Sequence, residues 1–152
     1  MNDPAALLDL QILLDERAII GLTHTYCWSI DRHEFENLRT VFTADGFARL
    51  GRDCSGVDDI VARITQALTP LDDSQHIVAN HQVAVDGDRA TCRCYFHAQH
   101  IRRAADGGPN YVVAGRYEDR CVRTDQGWRI EHRVLTVMWT DGNVRVVNPS
   151  AG

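Results

Sequence analysis

No apolar run in the chain approaches 18 residues, so nothing in it reads as a membrane-spanning helix. The amino-terminal MNDPAALLDL lacks the basic stretch of a secretory signal. A basic excess is missing too. Arginine and lysine total 16 against 21 acidic residues, a net charge of −5, which argues against nucleic acid as a general partner. The arginines of the carboxyl-terminal half are interrupted by Glu118, Asp119 and Glu131 and read as a solvated sheet face. No Gly-rich phosphate loop precedes a helix, so a nucleotide cofactor is not expected. A G-x-S-x-G nucleophile elbow is also lacking. There are no repeats, low-complexity tracts or linkers. The five cysteines are odd in number, and Cys92 and Cys94 are spaced for a strand rather than a disulfide framework. They read as reduced thiols of a cytoplasmic protein.

What is there has the size and composition of one domain over residues 1–152, 44% hydrophobic and 24% charged. Asp3-Pro4 is a plausible helix start. Leu7, Leu8, Leu10, Ile12, Leu13 and Leu14 are apolar nearly all round, which predicts cover by another element or by another copy of the chain. Ile19, Leu22, Tyr26 and Ile30 then recur at helical spacing. The pattern stumbles at Asp31-Arg32-His33 and restarts with Phe35, Leu38, Val41 and Phe42, which predicts a corner and a second, short helix. Ser55-Gly56-Val57-Asp58 reads as a capping box opening a third helix with Val57, Ile60, Ile64 and Leu68 on its apolar face. After Pro70 the period changes to two. Strands are expected over 76–85, 90–99, 111–123 and 128–139, with a short strand over 47–50 and an edge strand over 144–147. Helices followed by a long antiparallel meander give an α+β class. Long strands curl, and helices on the concave face of such a sheet would enclose a cavity suited to a small apolar ligand.

The residues available for chemistry are acids, bases and phenols. Tyr26 and Asp31 are five residues apart, about 140° around an ideal helix, and border one cavity only if it lies over the helix end. Asp31 with Glu34 also reads as a capping box, and Tyr26 as a core aromatic. His76 opens the first long strand. Arg133 shares a face with Leu135, Val137 and Trp139, where a guanidinium needs a carboxylate or a ligand. An ion pair with Asp31 and a clamp on developing negative charge are the two options. Cys92, Cys94, His97 and His100 are zinc-ligand types. On a strand rising about 3.3 Å per residue, however, Cys92 and His100 stand roughly 26 Å apart, so no metal site is expected.

From about Leu14 to Trp139 the chain resembles the SnoaL-like branch of the nuclear-transport-factor-2-like superfamily. The resemblance is carried by TYCWSIDRHEFENLRTVFTADGFARLG, QHIVANHQVAVDGDRATCRCYF and GRYEDRCVRTDQGWRIEHRVLTVMW. It implies a cone-shaped curved antiparallel sheet wrapped around three amino-terminal helices. Within that branch the pattern looks like the cofactor-free lyases of scytalone dehydratase, hexachlorocyclohexane dehydrochlorinase and bile-acid dehydratase type. Those use a histidine at a strand start as general base and an aspartate at the end of the first helix to orient it. The matching positions are His76 and Asp31. Tyr26 matches a tyrosine of the bile-acid dehydratase type, and Arg133, five residues after Trp128, an arginine of the dehydrochlorinase type. Two departures stand out. Arg49-Leu50-Gly51 lacks the carboxylate of isomerase relatives, and the two-histidine, two-tyrosine set of scytalone dehydratase has no evident match.

Two functions follow as expectations. One is a lyase without cofactor, with Phe96, Tyr117, Leu135, Val137 and Trp139 shaping a pocket for a cyclic or aromatic apolar substrate. The other is a non-catalytic ligand-binding module, or an assembly subunit like the small subunits of ring-hydroxylating oxygenases, which share the implied fold. Either way a homo-oligomer is expected, a trimer or a dimer.

Overall fold

The computed structural model describes residues 4–151. The expected Asp3 cap lies outside them. Helix α1 runs Pro4–Asp31 and a short 3-10 helix runs Phe35–Thr40. Then come β1, Phe42–Arg49, and β2, Asp53–Ser55. Helix α2 covers Val57–Leu68. Four long strands complete the sheet: β3 Asp73–Asp86, β4 Arg89–Ile101, β5 Asn110–Thr124 and β6 Gly127–Gly142.

The strands form one curved, unclosed sheet in the order β2-β1-β6-β5-β4-β3, and the fold is α+β and cone-like. Several details depart from the sequence reading, among them the Ser55 capping box, since Gly56 is the N-cap of α2 and no side chain caps it. The second helix is a short 3-10 helix, and strand structure resumes at Phe42 rather than Phe47. The sheet is mixed, because β1 returns through α2 and three hairpins to lie parallel to β6. Residues 144–146 form a 3-10 helix instead of an edge strand.

Strand alternation sets the inner face. Ala90, Cys92, Cys94, Phe96, Ala98 and His100 of β4 are buried, and Thr91, Arg93, Tyr95 and His97 between them are exposed. The register is interrupted between Ala79 and Gln82, between Ala114 and Gly115 and between Arg120 and Cys121. Such bulges add twist and bend, which helps the sheet curl around α1. Gly115 is required by close approach, since a Cβ there would stand 2.1 Å from the Thr136 carbonyl oxygen and 2.8 Å from the Phe96 ring. All five cysteines are buried and free. Among the described residues no helix is long and apolar enough to cross a membrane.

Asp15 locks α1 to the sheet. Its carboxylate accepts two hydrogen bonds from the Arg123 guanidinium, at 2.9 and 2.7 Å, and one from the Trp128 indole at 3.0 Å. The same guanidinium lies 4.6 Å over the Trp128 ring. Hydrogen bonding from Arg123 outweighs burial and holds the Asp15 carboxyl down at about 2. Before this point α1 projects Leu7, Leu8, Leu10, Leu13 and Leu14 into solvent. After it, Ile19, Leu22, Tyr26 and Ile30 enter the core. Asp15→Ala strands the indole and two of the three guanidinium nitrogens. It is expected to lower unfolding free energy by about 2–4 kcal/mol, read from urea melts at pH 7.

Candidate active site

The end of α1 is a backbone device. His33 sits in the left-handed region at φ 57, which histidine visits more readily than bulky residues do. The Glu34 N–H donates to the Ser29 carbonyl at 2.8 Å and the His33 N–H to the Ile30 carbonyl at 3.2 Å. This is a Schellman closure. It leaves Asp31 as the last helical residue. The carboxylate does not cap the following 3-10 helix, whose N-cap Glu34 has no side-chain cap bond.

Asp31 reaches β3 instead. The His76 ring Nδ1 lies 2.7 Å from Oδ1, the His76 backbone N–H donates to Oδ2 at 2.7 Å, and the Ser74 hydroxyl donates to Oδ1 at 2.8 Å. Burial alone would raise the carboxyl pKa. The His76 ring and backbone hydrogen bonds, the His76 charge and Ser74 together outweigh it, so the pKa falls below the ordinary value. An ionised carboxylate only accepts, so the ring proton facing it is on Nδ1. Nε2 is then the free ring nitrogen, with no partner among the described residues.

His76 is a wall of an apolar cavity of about 250 Å³. Tyr26, Phe96, Tyr117, Leu135 and His100 share that wall. The Phe96 and Tyr117 rings stack at 4.6 Å. Burial raises the Tyr26 phenol to about 12 against the counteracting charge of Arg133, so it stays protonated at neutral pH. On its other side His76 borders an outer groove of about 440 Å³, where Trp28, Arg32 and Ile77 form part of the rim. A larger hollow of about 630 Å³, walled in part by Arg93, Glu118 and Arg120, contains neither Asp31 nor His76.

Arg133 corrects its expected pairing. It is fully buried, and it forms a two-pronged ion pair with Asp119, Nε to Oδ1 at 2.8 Å and Nη2 to Oδ2 at 2.7 Å, not with Asp31. Its guanidinium carbon lies over two aromatic rings that meet edge to face, 4.4 Å from the Tyr26 centroid and 4.2 Å from Tyr117. It lies beneath the cavity floor and is not one of the cavity's lining residues. Val137 and Trp139 are corrected as well. In β6 Val137 pairs with Gly115 and Trp139 with Ala114. The inserted Met138 turns Trp139 to the outer face, against the His97 ring at 5.7 Å. Val137 is half exposed, outside the cavity wall.

His100 was not foreseen as a site residue. Its ring stands 5.5 Å from that of His76, edge-on. It is 7% exposed, and its Nδ1 has no hydrogen-bond partner. Burial, then the neighbouring His76, push its pKa down to about 4. The signal was in the sequence: His100 shares parity with Phe96 and Ala98 on the apolar face of β4. With Tyr26 and Tyr117 the two histidines form a two-histidine, two-tyrosine set around one cavity. The α2 contribution to the wall, through Arg63, Ile64 and Ala67, was also missed. The chain has no lysine, so no ε-amine is available for Schiff-base chemistry. Among the described residues no group of three or more His, Cys, Asp or Glu could hold a metal ion.

Residues 11–134 match the SnoaL-like domain family. The chain belongs to that family. The uncharacterized protein Rv2910c of Mycobacterium tuberculosis is 31% identical over 135 residues, which cover 86% of this chain and 90% of that protein. A candidate scytalone dehydratase of Novosphingobium aromaticivorans is similar in structure. It has a TM-score of 0.77 at 25% identity, and the match covers 92% of this chain and 95% of that one. A type 2 hexachlorocyclohexane dehydrochlorinase, LinA, has a TM-score of 0.79 at 16% identity over 88% of this chain and 91% of its own. At that identity the likeness is one of fold. The structural neighbours thus include a candidate dehydratase and a dehydrochlorinase, and a nuclear-transport-factor-2-like superfamily protein of Salmonella enterica shares the fold with a TM-score of 0.76 at 18% identity.

The buried His100 makes stability pH-dependent. Unfolded, the ring takes up a proton near its ordinary 6.5; folded, it does so only near 4. The unfolded state therefore binds more protons between those values, and stability falls as pH drops from 6.5 to 4. At about 1.4 kcal/mol per pH unit the loss is at most about 3 kcal/mol. His100→Gln should remove this share of the slope, read as the wild-type-minus-variant difference in urea midpoints between pH 7 and pH 4.5.

Proposed function

We propose that this SnoaL-like protein is a cofactor-independent lyase of dehydratase or dehydrochlorinase kind, acting on a small cyclic apolar substrate. The observation that carries the reading is the 2.7 Å contact of Asp31 with His76 Nδ1 in the wall of an open cavity. A binding module needs the cavity but not the contact, and an assembly subunit needs neither.

The chemistry would run as follows. His76 Nε2 takes a proton from a ring carbon next to an activating group. The electron pair of that C–H bond becomes the new C=C bond, and hydroxide or halide leaves the adjacent carbon with its own bonding pair. A departing hydroxide takes the Tyr26 proton to leave as water, and the proton on His76 returns to the phenolate through solvent. Asp31 holds the ring in the Nδ1–H form and stabilises the imidazolium that forms. Arg133, beneath the floor, acts through the field it places under Tyr26 and Tyr117 rather than by contact. Phe96, Tyr117 and Leu135 shape the apolar bed.

The five free buried thiols suit a reducing, cytoplasmic setting. The exposed leucines of α1 and the outward-turned Trp139 support a homo-oligomer.

The test is a panel of cyclic alcohols and halides with an activated C–H, followed by the absorbance of the new double bond. His76→Gln should lower kcat by about 10²–10⁴, and Asp31→Asn by a comparable factor with KM little changed. In the same variant, ¹⁵N chemical shifts of the His76 ring should move away from the pure Nδ1–H tautomer expected of wild type. Turnover and tautomer both unmoved by Asp31→Asn would sink the dyad.

A further inference from the structure

One charged side chain borders the cavity and has no acidic partner among the described residues. Arg63, on α2, lines it between Leu50 and Gly51 on one side and Ile64 and Ala67 on the other. Its Nε donates to the Leu50 carbonyl at 3.2 Å. That single bond pins the guanidinium over Gly51, where an added Cβ would stand 3.5 Å from Nη2. Its two terminal nitrogens meet no carboxylate among the described residues.

Of the arginines that reach no carboxylate among the described residues, Arg63 is the one that lines the cavity. Nine of the sixteen reach a carboxylate. The acids around α2 are all engaged elsewhere. Asp58 is held by Arg39 at 2.6 Å, Asp59 by Arg52 at 2.7 Å and Asp53 by Arg49 at 2.6 Å. No acid lines the cavity either, because Asp31 stands behind His76. A neutral apolar ligand filling this space would strip water from the guanidinium and give it nothing in return, which costs free energy. A carboxylate would supply the partner, in the two-pronged geometry that guanidinium favours. The unpartnered Nε2 of His76 in the same wall suits a second polar group on the ligand.

Resting on the lyase reading of the same cavity, we infer that its substrate is a cyclic acid: an apolar ring system with a carboxylate held by Arg63 and a hydroxyl or carbonyl at the His76–His100 side. The cavity of about 250 Å³ equals roughly eight water volumes, room for one or two fused rings.

Isothermal calorimetry at pH 7.5 with 2-naphthoate and its uncharged isostere 2-naphthamide tests this on the full chain. Wild type should bind the carboxylate about tenfold or more tighter than the amide. Arg63→Gln should abolish that preference while leaving amide affinity within about twofold, which also certifies that the variant is folded. Arg63→Lys should restore part of it. A preference that survives Arg63→Gln, equal binding of the two probes by wild type, or binding of neither overturns the assignment. No turnover is needed. A chain that discriminates the probes and eliminates nothing removes the lyase reading alone. One that eliminates from neutral cyclic alcohols without discriminating removes the cyclic-acid assignment alone.

Discussion

One carboxylate joins the two halves of this molecule. Asp31 is the last residue of α1, and it binds both the main chain and the ring of His76 at the beginning of β3. A helix end and a strand start, 45 residues apart in sequence, are thereby fixed to one another through charge-assisted hydrogen bonds, stronger than neutral ones. The ring is oriented by the same group that locates its backbone, so its free nitrogen has little rotational freedom. That is the condition under which a weak base becomes useful, because geometry rather than basicity supplies most of the advantage.

Beneath the cavity a second charge arrangement works differently. Arg133 and Asp119 are both buried and paired. A buried ion pair contributes little to stability, and breaking it costs more than forming it gains. Its effect here is on shape. The guanidinium lies among the rings of Tyr26, Tyr117 and Phe42, so the aromatic floor rests on a fixed cation. The two phenols above it keep their protons, because burial outweighs the neighbouring positive charge.

Much of this was readable from residue order. Period-two alternation placed β3 to β6 within a few residues, and the stumble at Asp31-Arg32-His33 marked the helix end. The resemblance paired Asp31 with His76 before any coordinates, which periodicity alone does not do. What escaped the sequence was decided by tertiary register. A bulge at Met138 turned Trp139 outward, and no one-strand pattern announces a bulge. Asp119 claimed Arg133 because the two face each other across β5 and β6, a pairing invisible until both strands are aligned. The same blindness hid α2: the side of an amphipathic helix that borders a cavity, and not merely the core, depends on how the sheet curls. His100 was the nearest miss, a histidine on an apolar strand face whose partner lies on the neighbouring strand.

His76 stands between the inner cavity and the outer groove, and both hollows have it in their walls. The imidazole is thus a partition one side chain thick as well as the proposed base. Trimming it to a methyl group would join two compartments and give water a second doorway. The behaviour of such a variant would mix lost proton transfer with lost seclusion. A replacement of similar bulk keeps the door closed, and only then does a rate difference speak of chemistry alone.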